Sequence, residues 1–310
     1  MQISGFKELG NNMKIINGYY IRLAAEKMFF IALLVVSFIQ ALASPAKANE
    51  IFSGLETIGK PSPGGISFQP PVTELARDIN WLDQVLFWII LIISLFVVGL
   101  LAYAAIKFNR KANPTPRIFT HHPVLEVTWT VVPIIVLVFI GVFSLPMLYK
   151  QMEIPESDLT IKAIGNQWYW SYEYPEHGIE FDAIMLAKDE LSDYGYSQDE
   201  YLLATDNPVV VPVGSIVRMQ VTGADVIHAW KIPSFGVHTD AMPGRLNENW
   251  FKAEKEGIYF GQCSELCGMA HAYMPIVVKV ISQEKFEQWL DFASKEFASL
   301  DNGIELARVD

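Results

Sequence analysis

Cysteine is nearly absent from this sequence, with two in 310 residues, Cys263 and Cys267. A disulfide framework is thereby excluded, since such scaffolds need several pairs. No Cys-x-x-Cys-His occurs, so no c-type haem is attached to the chain. Basic residues are in deficit, 23 against 34 acidic, for a net charge of −11. Nucleic acid is therefore not an expected partner. The deficit is local. Residues 150–310 hold 12 basic and 26 acidic residues, a net of −14, and the remainder is slightly positive. An acidic domain favours a basic partner. Charge is missing altogether from residues 85–106 and 127–149. Each run is long enough to cross a hydrocarbon core of about 30 Å. No internal repeat is present.

The first 48 residues read as an export signal. Lys14, Arg22 and Lys27 precede an apolar run over residues 28–43, and Ala46-Lys47-Ala48 offers a cleavage site. Met13 offers a second start for translation, and a retained signal anchor is the alternative reading. Residues 49–71 are punctuated by Pro61, Pro63, Gly64, Gly65, Pro70 and Pro71. Regular structure is not expected there. The domain plan is a signal peptide over 1–48, an extracytoplasmic linker over 49–79 and a helical hairpin over 80–150. A β domain over 151–282 and a C-terminal helix with tail over 283–310 complete it.

The loop between the two apolar runs carries Lys107, Arg110, Lys111 and Arg117, with no acid before Glu126. The positive-inside rule makes this loop cytoplasmic. Both flanks then lie on the opposite side, in agreement with the export signal. Pro133 is expected in the first turns of the second helix. Glu126 sits where that helix begins. One reading is a carboxylate favoured by a helix N-terminus. The other is a proton-uptake group, because ionisable residues at membrane depth mark proton paths. His121 and His122 read as loop residues without a role.

From Leu159 onward the pattern changes to short strands at 159–164, 209–213, 215–222, 257–260 and 275–280. Pro212 confines the second to a sheet edge. Many short strands with turns between them predict an all-β sandwich or barrel. Phe286, Trp289, Leu290 and Ala293 recur at helical spacing and predict a closing surface helix over 283–300. In Trp168-Tyr169-Trp170-Ser171-Tyr172-Glu173-Tyr174, strand alternation would send Trp168, Trp170, Tyr172 and Tyr174 to one face. Core packing is the ordinary reading of such aromatics. An exposed member could instead receive electrons. His177, in a turn, is expected to be exposed and without function.

Residues 261–274 read Gly-Gln-Cys-Ser-Glu-Leu-Cys-Gly-Met-Ala-His-Ala-Tyr-Met. Thiolate, imidazole and thioether form the soft set that selects copper. A one-copper blue site uses a single cysteine, whereas this loop has a second thiolate four residues on. Two thiolates can bridge two metals. His228, in an apolar stretch upstream, is the candidate for the second histidine. A disulfide would close too small a loop to stabilise much. Zinc has no special use for methionine.

The loop resembles the copper A loop of cytochrome c oxidase subunit II, and the likeness extends over residues 59–298. The resemblance implies a cupredoxin-like Greek-key domain behind a two-helix transmembrane anchor in the bacterial inner membrane. Both termini and the copper domain would be periplasmic. It implies two coppers held by His228, Cys263, Cys267, His271, Met274 and the backbone carbonyl of Glu265. The Glu265 carboxylate would bind a magnesium shared with subunit I. It implies that Trp168 receives electrons from cytochrome c and that Glu126, in Leu125-Glu126-Val127-Thr128-Trp129-Thr130, lies at the mouth of the K proton channel. Electrons would pass to haem a in subunit I, the site of haem a3, copper B and oxygen reduction, with subunit III completing the complex. Acids near these positions, Glu173, Asp182 and Asp225, would steer the basic donor. Residues 240–245 resemble a turn that packs on the large subunit. Asn166 and His238 depart from the family pattern, which usually has histidine and lysine there. Three alternatives share some features: a nitrous oxide reductase-like protein, a quinol oxidase subunit II without copper, and a membrane-anchored copper chaperone.

Overall fold

The computed structural model describes residues 50–115 and 118–297. The export signal, Arg117 and the tail beyond Phe297 lie outside the described residues. The compact unit that carries the helices and the β domain begins at Phe52.

Two helices come first, α1 (Glu74–Lys107) and α2 (Pro123–Met152). Both are long and apolar enough to cross a membrane, and their apolar side chains face outward. At 1.5 Å per residue they run about 51 and 45 Å, longer than a hydrocarbon core. The surplus is used against the β domain. Thr73 caps α1, accepting from the Ala76 N–H at 3.0 Å while its hydroxyl donates to the Phe235 carbonyl at 2.7 Å. Leu75 and Ala76 are buried behind it. Arg77 grips Glu254 with two bonds of 2.8 Å. Lys150, at the end of α2, reaches both Glu74 and Asp78 on α1, at 2.5 and 2.8 Å.

α2 starts earlier than its apolar run suggests. His122 is its N-cap, its ring nitrogen accepting from the Leu125 N–H, and Pro123 fills the first turn. His122 thus lies in the loop, as expected, but has a structural role there as the cap of α2. Pro133 accordingly lies in the helix interior, not its first turns.

The remainder is an all-β sandwich. One sheet has the order β1-β10-β11-β5 and the other β4-β3-β2-β6-β9, with β7 and β8 as a separate ribbon. The first sheet comprises β1 (Thr57–Gly59), β5 (Val209–Pro212), β10 (Gly257–Gln262) and β11 (Pro275–Ile281). The second comprises β2 (Leu159–Asn166), β3 (Tyr169–Tyr174), β4 (Ile179–Ala183), β6 (Ile216–Gly223) and β9 (Asn247–Lys252). The ribbon is β7 (His228–Ile232) with β8 (Val237–Ala241). Sequential strands are often not neighbours, as Greek-key connections produce. β5 occupies an edge, as Pro212 requires. Burial alternates strictly along β2 and β6, so one face of this sheet is core. The buried Tyr174 hydroxyl bonds both the N–H and the carbonyl of Val210 at 2.9 Å, tying the two sheets together. α3 (Gln283–Glu296) covers the sandwich with Phe286, Trp289 and Ala293 buried.

Residues 50–71 hold more regular structure than their prolines suggest. β1 pairs in parallel with β10, and Thr57 donates to the buried Glu200 at 2.8 Å. This stretch is a strap along a sheet edge.

Candidate metal centre

The β10–β11 connection holds both cysteines, and β7 begins at His228. The sandwich brings these segments together. The ligand atoms of His228, Cys263 and Cys267 all lie within 4.8 Å of one another. The two sulfurs are 3.9 Å apart. A disulfide needs about 2.05 Å, so this is a pair of free thiols. His228 Nδ1 lies 3.9 Å from Cys263 Sγ and His271 Nδ1 lies 3.4 Å from Cys267 Sγ. Met274 Sδ is 3.5 Å from Cys267 Sγ, and the Glu265 carbonyl is 3.3 Å from Cys263 Sγ.

All six expected donors therefore converge. A tetrahedral zinc ion uses about four. Six donors, among them two thiolates and a thioether, suit a pair of soft metal ions better than one zinc. The residues fit a copper pair.

The ligands are held from behind. The Asp225 carboxylate takes His228 Nε2 at 2.8 Å, leaving Nδ1 aimed at the sulfur. A carboxylate on the far nitrogen fixes a ligand's tautomer and ring orientation. Gly165 lets the imidazole lie on β2, because a Cβ there would fall 2.8 Å from the ring. The buried Trp170 meets the same ring edge-on at 6.0 Å and donates to the Met274 carbonyl at 3.3 Å. Sequence reasoning alone assigns no role to Gly165, Gln167 or Trp170. Only the lone glycine inside a strand pattern signals a close approach there.

The pocket also sorts protons. Burial pushes His228 down, but the Cys263 and Asp225 bonds outweigh it and hold the imidazole above its ordinary value. Burial pushes Cys263 up, and its bond from His228 and nearby backbone N–H groups more than reverse this. Cys267, buried beside the Cys263 sulfur, is pushed up to about 12.

Trp168 is not part of the strand alternation. Trp170, Tyr172 and Tyr174 share the buried face, as expected, but Gln167 and Trp168 form the turn between β2 and β3. The half-buried Trp168 donates Nε1–H to the Cys267 carbonyl at 3.2 Å. A half-buried indole is thus one hydrogen bond from the Cys267 backbone.

The acids differ in their engagement. Glu173 is paired with Lys162 at 2.9 Å. Asp225 is committed to His228. Asp182 is exposed and accepts from Ser171, which also receives Asn166. The Glu265 side chain points outward, and Leu266 and Met269 beside it are 77% and 88% exposed. His238 is exposed on β8 and His177 is exposed in its turn. Glu126 lies far along the chain from this cluster, at the start of α2, where it accepts from the His122 N–H at 3.0 Å.

The sequence matches two family models. Residues 159–281 match "Cytochrome C oxidase subunit II, periplasmic domain", and residues 61–147 match the transmembrane domain of the same family. The chain is 52% identical over 266 residues to cytochrome c oxidase subunit 2 of Cereibacter sphaeroides, covering 81% of this chain and 88% of the relative. It is 43% identical over 253 residues to a probable cytochrome c oxidase subunit 2 of Rickettsia bellii, covering 81% and 93%. Among solved structures, the periplasmic domain of subunit II of Bradyrhizobium japonicum cytochrome oxidase is 55% identical. That match covers 47% of this chain and 100% of the other, with a TM-score of 0.43.

Proposed function

The chain belongs to the cytochrome c oxidase subunit II family, and from that membership we propose that it receives electrons from cytochrome c and relays them to haem in subunit I. It is a two-pass membrane component of a haem-copper oxidase. The observation that carries the relay is the sulfur pair 3.9 Å apart with an imidazole nitrogen beside each sulfur. His228, Cys263, Glu265 through its carbonyl, Cys267, His271 and Met274 would hold the metal. A copper pair shared by two thiolates takes up and gives up one electron at a time.

The protein supplies the rest. Burial of both thiols and of His228 excludes water from the donors. Binding must displace the Cys267 proton, so metal uptake releases protons and strengthens as pH rises. Trp168 presents a flat π-surface in reach of the donor. Asp182 and its neighbours favour a basic partner at salt-dependent rates. The exposed Leu266 and Met269 supply apolar contact. The outward Glu265 carboxylate would take a magnesium ion shared with subunit I. The basic loop between the helices supports a cytoplasmic position for it, with the copper domain periplasmic. Glu126 would then serve proton uptake from the cytoplasm. Haem a, haem a3, copper B and oxygen chemistry belong to subunit I, and subunit III is a further expected neighbour.

Metal analysis and paramagnetic resonance of the purified oxidase test this reading. Two coppers per chain with the unpaired electron spread over both nuclei are expected. Cys267→Ser should leave one copper or none and abolish that spreading. One copper in the wild type, or a Cys263–Cys267 disulfide in the loaded protein, would overturn the assignment.

A further inference from the structure

Gln167 is an exposed turn residue, yet its polar groups point inward. Its side-chain amide donates to the Cys267 carbonyl at 2.8 Å. Its backbone N–H donates to Asp225 Oδ2 at 2.8 Å, while Asp225 Oδ1 holds His228 Nε2. One residue therefore bonds directly to the segment bearing Cys267 and, through one carboxylate, to the ring of His228. The fit on the loop side is close. Gly268 has φ +117°, and a Cβ there would fall 3.2 Å from the Gln167 amide nitrogen. The Cys267 carbonyl accepts from Trp168 as well, at the longer 3.2 Å. Both of its acceptor sites are then used, with Gln167 making the shorter bond.

We infer that Gln167 is a positioning residue, a clamp that fixes the spacing of His228 and Cys267 and so the geometry of the metal centre. The inference rests on the copper reading above. It assigns separate tasks to two adjacent residues. Gln167 holds the ligands, and Trp168 lies on the path of the electron. A docking residue would instead hold its amide out to the partner.

The experiment uses the assembled oxidase with Gln167→Leu, which removes the donor, and Gln167→Glu, which keeps the volume but replaces the donor by an acceptor. The side chain is exposed, so neither change opens a cavity in the core. Four properties are measured: copper release to a chelator, the optical and paramagnetic spectra of the centre, the KM for reduced cytochrome c, and thermal unfolding. Removing a group that orients a metal ligand costs about 10–100-fold in affinity. Copper release should accelerate by about that factor and the spectra should shift in both variants, with the unfolding temperature unchanged in both and the KM unchanged in the uncharged Gln167→Leu. Trp168→Phe, which loses the N–H but keeps an aromatic ring, should leave the spectra close to wild type because Gln167 still holds the carbonyl. Unaltered spectra and release with a raised KM would make Gln167 a docking residue and overturn the inference. So would spectra that change only together with a lowered unfolding temperature. A wild type lacking the copper pair would overturn the functional reading and this inference with it. A wild type with the pair and variants indistinguishable from it would overturn the inference alone.

Discussion

Cys263 and Cys267 are the same residue type in one loop, but their surroundings make them chemically unequal. Without copper, Cys263 is held below its ordinary pKa while Cys267 is pushed up to about 12. The thiolate is the nucleophile, so the copper-free, reduced protein should alkylate at Cys263 first. Cys267 should follow only as pH rises well above neutrality, and mass spectrometry of the labelled peptide reads the order. Equal labelling near neutral pH would contradict the asymmetry. Trp168 and the acids can be separated in the same residue-by-residue way. Trp168→Gln should slow copper reduction within the complex by a large factor and leave affinity nearly intact. Among the three acids, Asp182 has no cationic partner among the described residues, whereas Glu173 is paired with Lys162. Exposed pairs are worth on the order of 0.2–1 kcal/mol, so Asp182→Asn should raise the KM a few-fold. It should also flatten the ionic-strength dependence more than Glu173→Gln does. Stopped-flow reduction across salt concentrations decides. An effect of Trp168→Gln confined to salt-dependent association would sink this division of labour. The candidate donors Cys263, Cys267, His271 and Met274 were legible in the sequence because cysteine is so rare and its spacing so specific. Gly165 and Gln167 were not, because each acts on a residue distant in the chain.

Among the elements, α2 shows how a local signal is extended by its neighbours. Its apolar run begins at residue 127, but the helix begins at Pro123 because His122 caps it and Glu126 accepts the His122 N–H. Glu126 therefore has a structural place whether or not protons use it. Glu126→Ala should slow turnover of the assembled oxidase while leaving copper reduction by cytochrome c unchanged, since the carboxylate is at the other end of the helix from the β domain. Glu126→Gln keeps an acceptor for the His122 N–H, so it separates capping from proton uptake. If it restored full turnover, capping alone would explain the residue. The strap at 57–59 was illegible for the opposite reason. Three residues followed by Pro61 and Pro63 carry no periodicity, and only the open edge of β10 makes a strand of them.

At the scale of the whole molecule, the hairpin and the sandwich are fastened by groups that hydropathy ignores, Thr73 and the Arg77–Glu254 pair, while Lys150 across Glu74 and Asp78 ties the two helices to each other. The sandwich also encloses an unexpected cation. Lys279 of β11 is buried between the rings of Phe52 and Tyr196, 4.1 and 4.8 Å from their centres. Burial pushes its pKa down to about 7, against the pull of Glu200. Between pH 7 and about 10.5 the unfolded chain then holds a proton that the folded chain has released. Folding stability should therefore rise with pH across that window, and the contribution to the slope should vanish below it. Lys279→Met should remove this part of the slope, as thermal unfolding of the full chain in detergent at several pH values would show. An unchanged slope would mean that the two ring faces keep the ammonium charged. By itself the sequence determined the membrane runs, the β-rich outer domain and five of the six donors' neighbourhood. These are properties of adjacent residues: runs of apolar side chains, alternation, and ligands within one loop. Only the tertiary structure brings His228, already a candidate in the sequence 35 residues before Cys263, to within 3.9 Å of the Cys263 sulfur. It also decided that Trp168 turns out of its strand, and that Gln167 reaches across 100 residues to Cys267. Those contacts depend on how the strands pair and how the sheets face each other, which is a property of the packed sandwich and of no single stretch within it.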